Sequence, residues 1–201
     1  MLELVRSASS LFTLPTASNH SAGLVVGLAQ SPEEIELAQR LRHDVFSAEY
    51  GAALGHERNG IDHDDFDPWC AHLLVRELST DQVVGTYRVL TPQQAKRAGS
   101  YYSESEFDLS GLGAVRDSLV EFGRACIHEE HRQGGVLMML WSGLAEILKQ
   151  GQYEHVLGCA SVSLRDDGVT GFVIRGVAAL MLGHDHALAL WAHQNFVFGF
   201  F

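Results

Sequence analysis

The sequence predicts an α/β (α+β) domain, a mixed and largely antiparallel sheet flanked by helices. Three observations predict it. Apolar, β-branched runs recur at Cys70 to Leu78, Val83 to Leu90 and Leu119 to Ile127. Apolar residues keep the 3.6-residue helical period after Ser31 and again from Gln133 to Gln150. Read in order, the segments run β-α-β-β-β-α-β.

The chain has 201 residues and 46% hydrophobic content, enough for one substantial core and too little for two. Residues 1 to 22 are small and polar without a period and read as a flexible N-terminal arm; residues 23–201 read as a single domain. That domain opens on a short buried strand, Leu24 to Ala29. Ser31-Pro32-Glu33-Glu34 then supplies a cap, a first-turn proline and two acids, and Ile35, Leu37, Ala38, Leu41, Val45 and Phe46 continue a helix of about four turns. Tyr50 to Trp69 is rich in Gly, Asp and His and reads as a long loop of the kind that carries function. Ser79-Thr80-Asp81-Gln82 joins two apolar runs into an antiparallel hairpin. Val136, Met139, Leu140, Leu144, Ile147 and Leu148 form one buried helical face, and Tyr153 to Ala160 is a further strand. Met138, Met139 and Trp141 on that helix fit either ordinary core packing or the wall of a tunnel for an apolar chain.

The formal charge is −11 with no Lys/Arg cluster, which excludes a nucleic-acid partner; Arg132 with Lys96 and Arg97 is the basic patch available to an acidic protein. The three cysteines are odd in number and lack CxxC spacing, so no disulfide scaffold is expected and a reducing cytoplasm fits. No segment has the pattern of a signal peptide, or reaches the ~18 uninterrupted apolar residues of a membrane span. Asp62-His63-Asp64-Asp65-Phe66-Asp67 lacks the glycine and the glutamate of a calcium loop, and His184-Asp185-His186 with His193 reads as surface histidine, so no metal is expected. Cys126 reads as a small core residue.

In Val120-Glu121-Phe122-Gly123-Arg124 the odd separation of Glu121 and Arg124 puts them on opposite faces of an ideal strand. A bulge at Gly123 would bring both to one pocket and free a backbone N–H for an oxyanion. The other reading is a buried structural ion pair.

The blocks Gly85-Thr86-Tyr87-Arg88-Val89-Leu90, Tyr101 to Leu109, Glu121 to His128 and Leu157-Gly158-Cys159-Ala160-Ser161 resemble the ornithine-lipid N-acyltransferases. With Arg42 and Phe46 on the first helix and Asp64 and Asp67 in the loop, they are also similar to the acyl-homoserine lactone synthases and the long-chain N-acyl amino acid synthases. The resemblance runs from Leu41 to Ser163; it implies a GNAT acyltransferase fold whose closing strands are left open at the C-terminus, because the apolar, aromatic tail from Val169 departs from the family pattern.

What the resemblance implies is a lipid-biosynthetic acyltransferase that moves a (3-hydroxy)fatty acyl group from acyl carrier protein to the α-amino group of ornithine, in the cytoplasm. Glu121 would be the general base, Arg124 would orient it, and Arg88 would face the substrate carboxylate. Arg42, Phe46, Asp62, Asp64 and Asp67 would shape or line the acceptor pocket, with Asp62 or Asp64 against the side-chain ammonium. Arg132, Gln133, Gly134 and Gly135 hold a degraded form of the GNAT phosphate signature at a helix start, and either bind the acyl-phosphopantetheine arm or form an ordinary glycine-rich helix entry. No cofactor is implied beyond the acyl-phosphopantetheine thioester as co-substrate. The alternatives are acylation of another amino acid, lactone synthesis from S-adenosylmethionine with Trp69 and Tyr50 stacking on adenine, and an inactive module that binds acyl carrier protein. A lipid product would also give the tail reason to touch the inner membrane peripherally, while the residues up to Leu182 pack as a helix.

Overall fold

The computed structural model describes residues 18–19, 23–50, 57–58, 60–132, 135–160, 190–191 and 196–197. The strands are β1 (Ser18–Asn19), β2 (Leu24–Leu28), β3 (Glu57–Arg58), β4 (Ile61–Asp62), β5 (Ala71–Glu77), β6 (Val83–Leu90), β7 (Leu119–Ile127), β8 (His155–Leu157), β9 (Cys159–Ala160), β10 (Leu190–Trp191) and β11 (Phe196–Val197). The helices are α1 (Pro32–Tyr50), α2 (Pro92–Ala98) and α3 (Gly135–Gly151). A six-stranded sheet runs β1-β2-β5-β6-β7-β8, antiparallel throughout except for the parallel β7–β8 pair.

The expected order of strands and helices is present, and the hairpin and the Leu119 to Ile127 strand fall where the β-branched runs place them. Ser18 and Asn19, inside the segment expected to be a free arm, pair with Val25 and Leu24; the rest of that arm lies outside the described residues. The tail from Val169, with His184, Asp185, His186 and His193, lies outside them too, apart from β10 and β11. Those two strands form a separate sheet with β9.

Each face of the main sheet carries a helix. On one side α3 buries Val136, Met139, Leu140, Leu144 and Ile147 against Leu24, Val26, Leu73, Val84, Val89 and Val120. Two glycines set this spacing: a Cβ on Gly85 would meet the Val136 side chain at 2.5 Å, and one on Gly143 would meet Leu73 at 2.9 Å. Of the three residues read as core or tunnel wall, Met139 is in the core, whereas Met138 and Trp141 leave 67% and 57% of their surface exposed, because the helical period carries them to the side away from the sheet. On the other face α1 buries Ile35, Ala38, Leu41 and Val45 against Leu74, Val83 and Cys126, so Cys126 is a core thiol.

Residues 91–118 cover the end of that second face. Thr91 caps α2 in a reciprocal capping box with Gln94, Pro92 stands at the helix start, and Gly99 closes it at φ 97°. Short 3-10 turns at Tyr102–Ser105 and Ser110–Ser118 follow. Tyr101, Phe107, Leu109 and Leu112 pack with Leu90, Leu119 and Leu157, pressing this excursion onto the strand that carries Glu121.

Two departures from regular pairing matter for the site. Thr86 faces Cys126 and Arg88 faces Gly123, so Tyr87 alone lies opposite Arg124 and Ala125, a bulge in β7. It sits one residue beyond Gly123, and Arg124 itself takes the left-handed backbone at φ 50°. Nothing lies within 4 Å of where a Gly123 side chain would start, so the expectation that this glycine makes the bulge is corrected. The second departure is at the other edge: β7 pairs with β8 only over Leu119 to Glu121, and the outer edge from Phe122 to Ile127 has no strand partner among the described residues. The run Tyr153 to Ala160 is accordingly broken at Gly158, whose Cβ would lie 2.9 Å from the Phe122 carbonyl oxygen.

Candidate active site

The polar residues of the acidic loop, α1 and the sheet meet on the α1 face in one buried ion network. Arg42 donates from Nε to Asp62 at 2.7 Å, from Nη1 and Nη2 to Asp67 at 2.8 Å each, and from Nη2 to the Asp62 carbonyl at 2.5 Å. Arg88 donates to Asp64 at 2.6 Å and to Asp67 at 3.3 Å. Arg124 donates to Asp64 at 3.2 Å, and its Nε lies 3.6 Å from Asp62. Three arginines thus face three aspartates, with side-chain exposures of 1%, 4% and 17% for Arg42, Arg88 and Arg124. Phe46 is half-buried against the α1 core.

The loop folds around Asp64 and Asp67 because each also accepts main-chain N–H groups: Asp64 from Phe66 and Asp67, and Asp67 from Asp64. Burial by itself would raise both carboxyls, but Arg42 beside Asp67 and Arg88 beside Asp64 more than offset it and hold both below the usual range. Asp64 and Asp67 are therefore anions spoken for by arginines, and the network has no spare acid at these two positions.

His72 lies under Asp67, with Nε2 3.1 Å from the Asp67 carbonyl and Nδ1 without a hydrogen-bond partner among the described residues. Burial pushes its imidazole down to about 4, below the ordinary 6.5. The unfolded chain takes up a proton near pH 6.5 that the folded protein refuses until about pH 4, so stability is present above pH 6.5 and is lost as pH falls across that window. At roughly 1.4 kcal/mol per unit this amounts to about 3 kcal/mol. Urea unfolding at pH 7 and pH 4.5 is expected to show that loss, with the slope flattened in His72→Gln; an unchanged midpoint would contradict it.

Glu121 is held apart from the ion network. Its two oxygens accept the main-chain N–H groups of Tyr102 and Ser103 at 2.7 and 2.8 Å, and Oε1 also accepts the Ser103 hydroxyl. Burial raises its carboxyl, opposed by the Ser103 hydrogen bonds. The expectation that Arg124 orients Glu121 is corrected: Arg124 is turned to Asp64 and Asp62, and the Tyr102–Ser103 turn orients the glutamate. The bulge nevertheless brings both residues to one place. The Arg124 and Arg88 guanidinium groups lie 5.4 and 5.6 Å from the Tyr102 ring centroid, and Tyr102 donates its N–H to Glu121. Tyr102 and Ser103 escaped the residue-level reading because their contacts with Glu121 on β7 span 19 and 18 residues and leave no local spacing.

Arg132 follows β7 and is tied to Glu49 at 2.5 Å, and Lys96 is tied to Asp117 at 2.7 Å. The basic patch expected from these residues is thus partly neutralised. Gly135 opens α3; Gln133 and Gly134 lie outside the described residues. Among the described residues no three His, Cys, Asp or Glu side chains are grouped to hold a metal, and no helix is long and apolar enough to cross a membrane.

In sequence and in fold the chain is similar to known proteins. The chain is 38% identical over 144 residues to the L-ornithine N(alpha)-acyltransferase of Rhodobacter capsulatus, a match covering 68% of this chain and 55% of that protein. It is 38% identical over 143 residues to the enzyme of the same name from Agrobacterium fabrum, covering 67% and 49%. The chain thus spans about half the length of the curated relatives it matches. In fold it is similar to the AHL synthase LasI, at a TM-score of 0.59 and 14% identity over 89% of each chain. It is equally similar to FeeM, an N-acyl amino acid synthase from uncultured soil microbes, at a TM-score of 0.59 and 11% identity over 88% of this chain and 89% of that one. The family model described as "Acetyltransferase (GNAT) domain" matches residues 41–142, from α1 through the ion network and Glu121 into α3, and the chain belongs to that family.

Proposed function

We propose that this protein transfers a fatty acyl group from the phosphopantetheine thioester of an acyl carrier protein to the α-amino group of L-ornithine, giving an N-acylated precursor of ornithine lipids. The observation that carries the reading is the place where Glu121, Arg124 and Tyr102 meet: it lies where β7 parts from β8. A thioester arm carries amides, and the edge of β7 beyond Glu121, which has no strand partner among the described residues, would offer main-chain partners for them, with the start of α3 at Gly135 and Arg132 available to its phosphate. The bulge at Arg124 and Ala125 takes one residue out of the ladder, and a main-chain N–H of that residue would serve the oxyanion.

Within this reading the arginines divide by their partners. Arg42 and Arg88 are covered and committed to aspartates, so they and Asp62, Asp64 and Asp67 set the floor of the acceptor pocket. Arg124 is the most open of the three, and its Nε has no hydrogen-bond partner among the described residues; it would take the substrate α-carboxylate. Glu121, its pKa raised by burial, would accept a proton from the α-ammonium. The relatives named L-ornithine N(alpha)-acyltransferase favour ornithine as acceptor. The reaction belongs in the cytoplasm, where acyl carrier protein is loaded, and the exposed Leu137, Met138 and Trp141 of α3 would suit a peripheral contact with the membrane that receives the product.

Incubating the purified protein with acyl carrier protein thioesters and a panel of amino acids, read by mass spectrometry, tests this. The expected product is N-acylornithine, linked at the α-nitrogen. Transfer to another amino acid with none to ornithine would refute the acceptor, and lactone formation from S-adenosylmethionine would replace the reading altogether.

A further inference from the structure

Glu121 cannot reach a substrate as it stands. Its residue is 5% exposed, and both of its oxygens are closed off by the Tyr102–Ser103 turn. One further group lies in line with it. The Ser103 hydroxyl, on a residue with 0% exposure, donates to Glu121 and lies 3.0 Å from the Sγ of Cys159.

The direction of these bonds follows from the chemistry of the groups. An ionised carboxylate only accepts, and a serine hydroxyl has a single proton, which here goes to Glu121. Ser103 must then accept from the Cys159 thiol, so every proton in the line points inward. Cys159 is partly exposed and follows Gly158, just past the last β7–β8 pair at Glu121 and Leu157. It is the outer end of the line, at the gap where the donor is proposed to lie.

We propose that Ser103 and Cys159 extend Glu121 into a three-member proton relay, so that the glutamate acts as base on the acceptor amine without touching it. The inference rests on the acyl-transfer reading. An α-ammonium loses two protons on becoming an amide N–H. One passes to Cys159 Sγ as the thiol proton moves to Ser103 Oγ and the hydroxyl proton moves to Glu121; the amine attacks the thioester carbonyl, and the C–S bond breaks. The same proton returns along the line to the leaving thiolate, which departs as a thiol, and the second proton goes to solvent. Ser103 and Cys159 end as they began, and no bond forms between Cys159 and the acyl carbon. Burial pushes the Cys159 thiol up to about 11, which keeps it protonated and suits a conductor rather than a nucleophile. Facing this line are Arg88, Cys70 and Tyr101 beside Glu121, and Glu106, Arg124 and Tyr102 beside Cys159.

The test compares wild type with Ser103→Ala, Cys159→Ala and Cys159→Ser, measuring kcat and KM for ornithine against pH with an acyl carrier protein thioester. Both alanine variants are expected to lose about a hundredfold in kcat with little change in KM and a displaced pH midpoint, and Cys159→Ser to recover at least about tenfold of the loss. Wild-type kcat and pH profile in both alanine variants, or an acyl adduct on Cys159 in the intact mass, would overturn the relay. A second measurement needs no turnover: the rate at which iodoacetamide alkylates Cys159 against pH, resolved by peptide mass from buried Cys70 and Cys126. Ser103→Ala and Glu121→Gln are each expected to shift that profile, and three superimposable profiles would refute the coupling. Coupled alkylation without acyl transfer to ornithine would remove the proposed function and leave the line standing; acyl transfer with uncoupled alkylation would do the reverse.

Discussion

Replacing Arg42 by methionine is expected to lower the stability of the fold by about 3–5 kcal/mol, the usual effect of removing one partner from a buried ion pair. The arginine is 1% exposed and makes four hydrogen bonds to Asp62 and Asp67. Methionine fills the volume but leaves Asp62 without its closest cation and Asp67 with Arg88 at 3.3 Å. Against a total of about 5–15 kcal/mol, such a loss brings the domain close to unfolding. Chemical denaturation at neutral pH checks this, with Asp67→Asn added to the Arg42→Met protein expected to restore part of the loss by removing a stranded charge. A melting midpoint unchanged by Arg42→Met would show that the loop carrying Asp62 and Asp67 is not anchored through α1.

Glu121→Gln is expected to reduce acyl transfer by roughly two orders of magnitude while the protein stays folded. The fold tolerates the change for reasons of opposite sign. Glutamine turns one amide N–H₂ towards the Tyr102 or Ser103 N–H, which costs about 1–3 kcal/mol. It also removes a carboxyl whose ionisation the fold disfavours. A raised folded-state pKa means that the contribution of Glu121 is fully present below its unfolded value and is lost as pH rises through the folded value. The variant is therefore expected to lack the decline in stability that wild type shows on that rise. Steady-state kinetics with parallel thermal melts checks both statements, and undiminished turnover would take Glu121 out of the chemistry.

The strands were legible because their side chains are β-branched and apolar, and β7 falls where that reading puts it. Helix α2 escaped the reading because its seven residues cannot display a 3.6 period, although Thr91-Pro92-Gln93-Gln94 carries a cap, a first-turn proline and the capping-box glutamine. At the site, Glu121 and the arginines could be named from sequence, but their partners could not. Whether Arg124 shares a face with Glu121 depends on where a bulge falls, and the one local signal, the glycine at 123, points one residue short of its seat at Arg124 and Ala125. Ser103 and Cys159 meet only after the 91–118 excursion folds back across the end of the sheet, over 56 residues of chain.

The left-handed backbone of Arg124 bears on how this protein can be improved. An L side chain at φ 50° sits in a region that costs roughly 1–2 kcal/mol and that glycine enters freely. Among substitutions at this position, then, the one that relaxes the main chain also deletes the guanidinium over Tyr102. Against that relaxation stands the Asp64 ion pair at 3.2 Å, which glycine would break, so strain and charge hold each other at this codon and a library ranked on heat resistance alone gives glycine no advantage there.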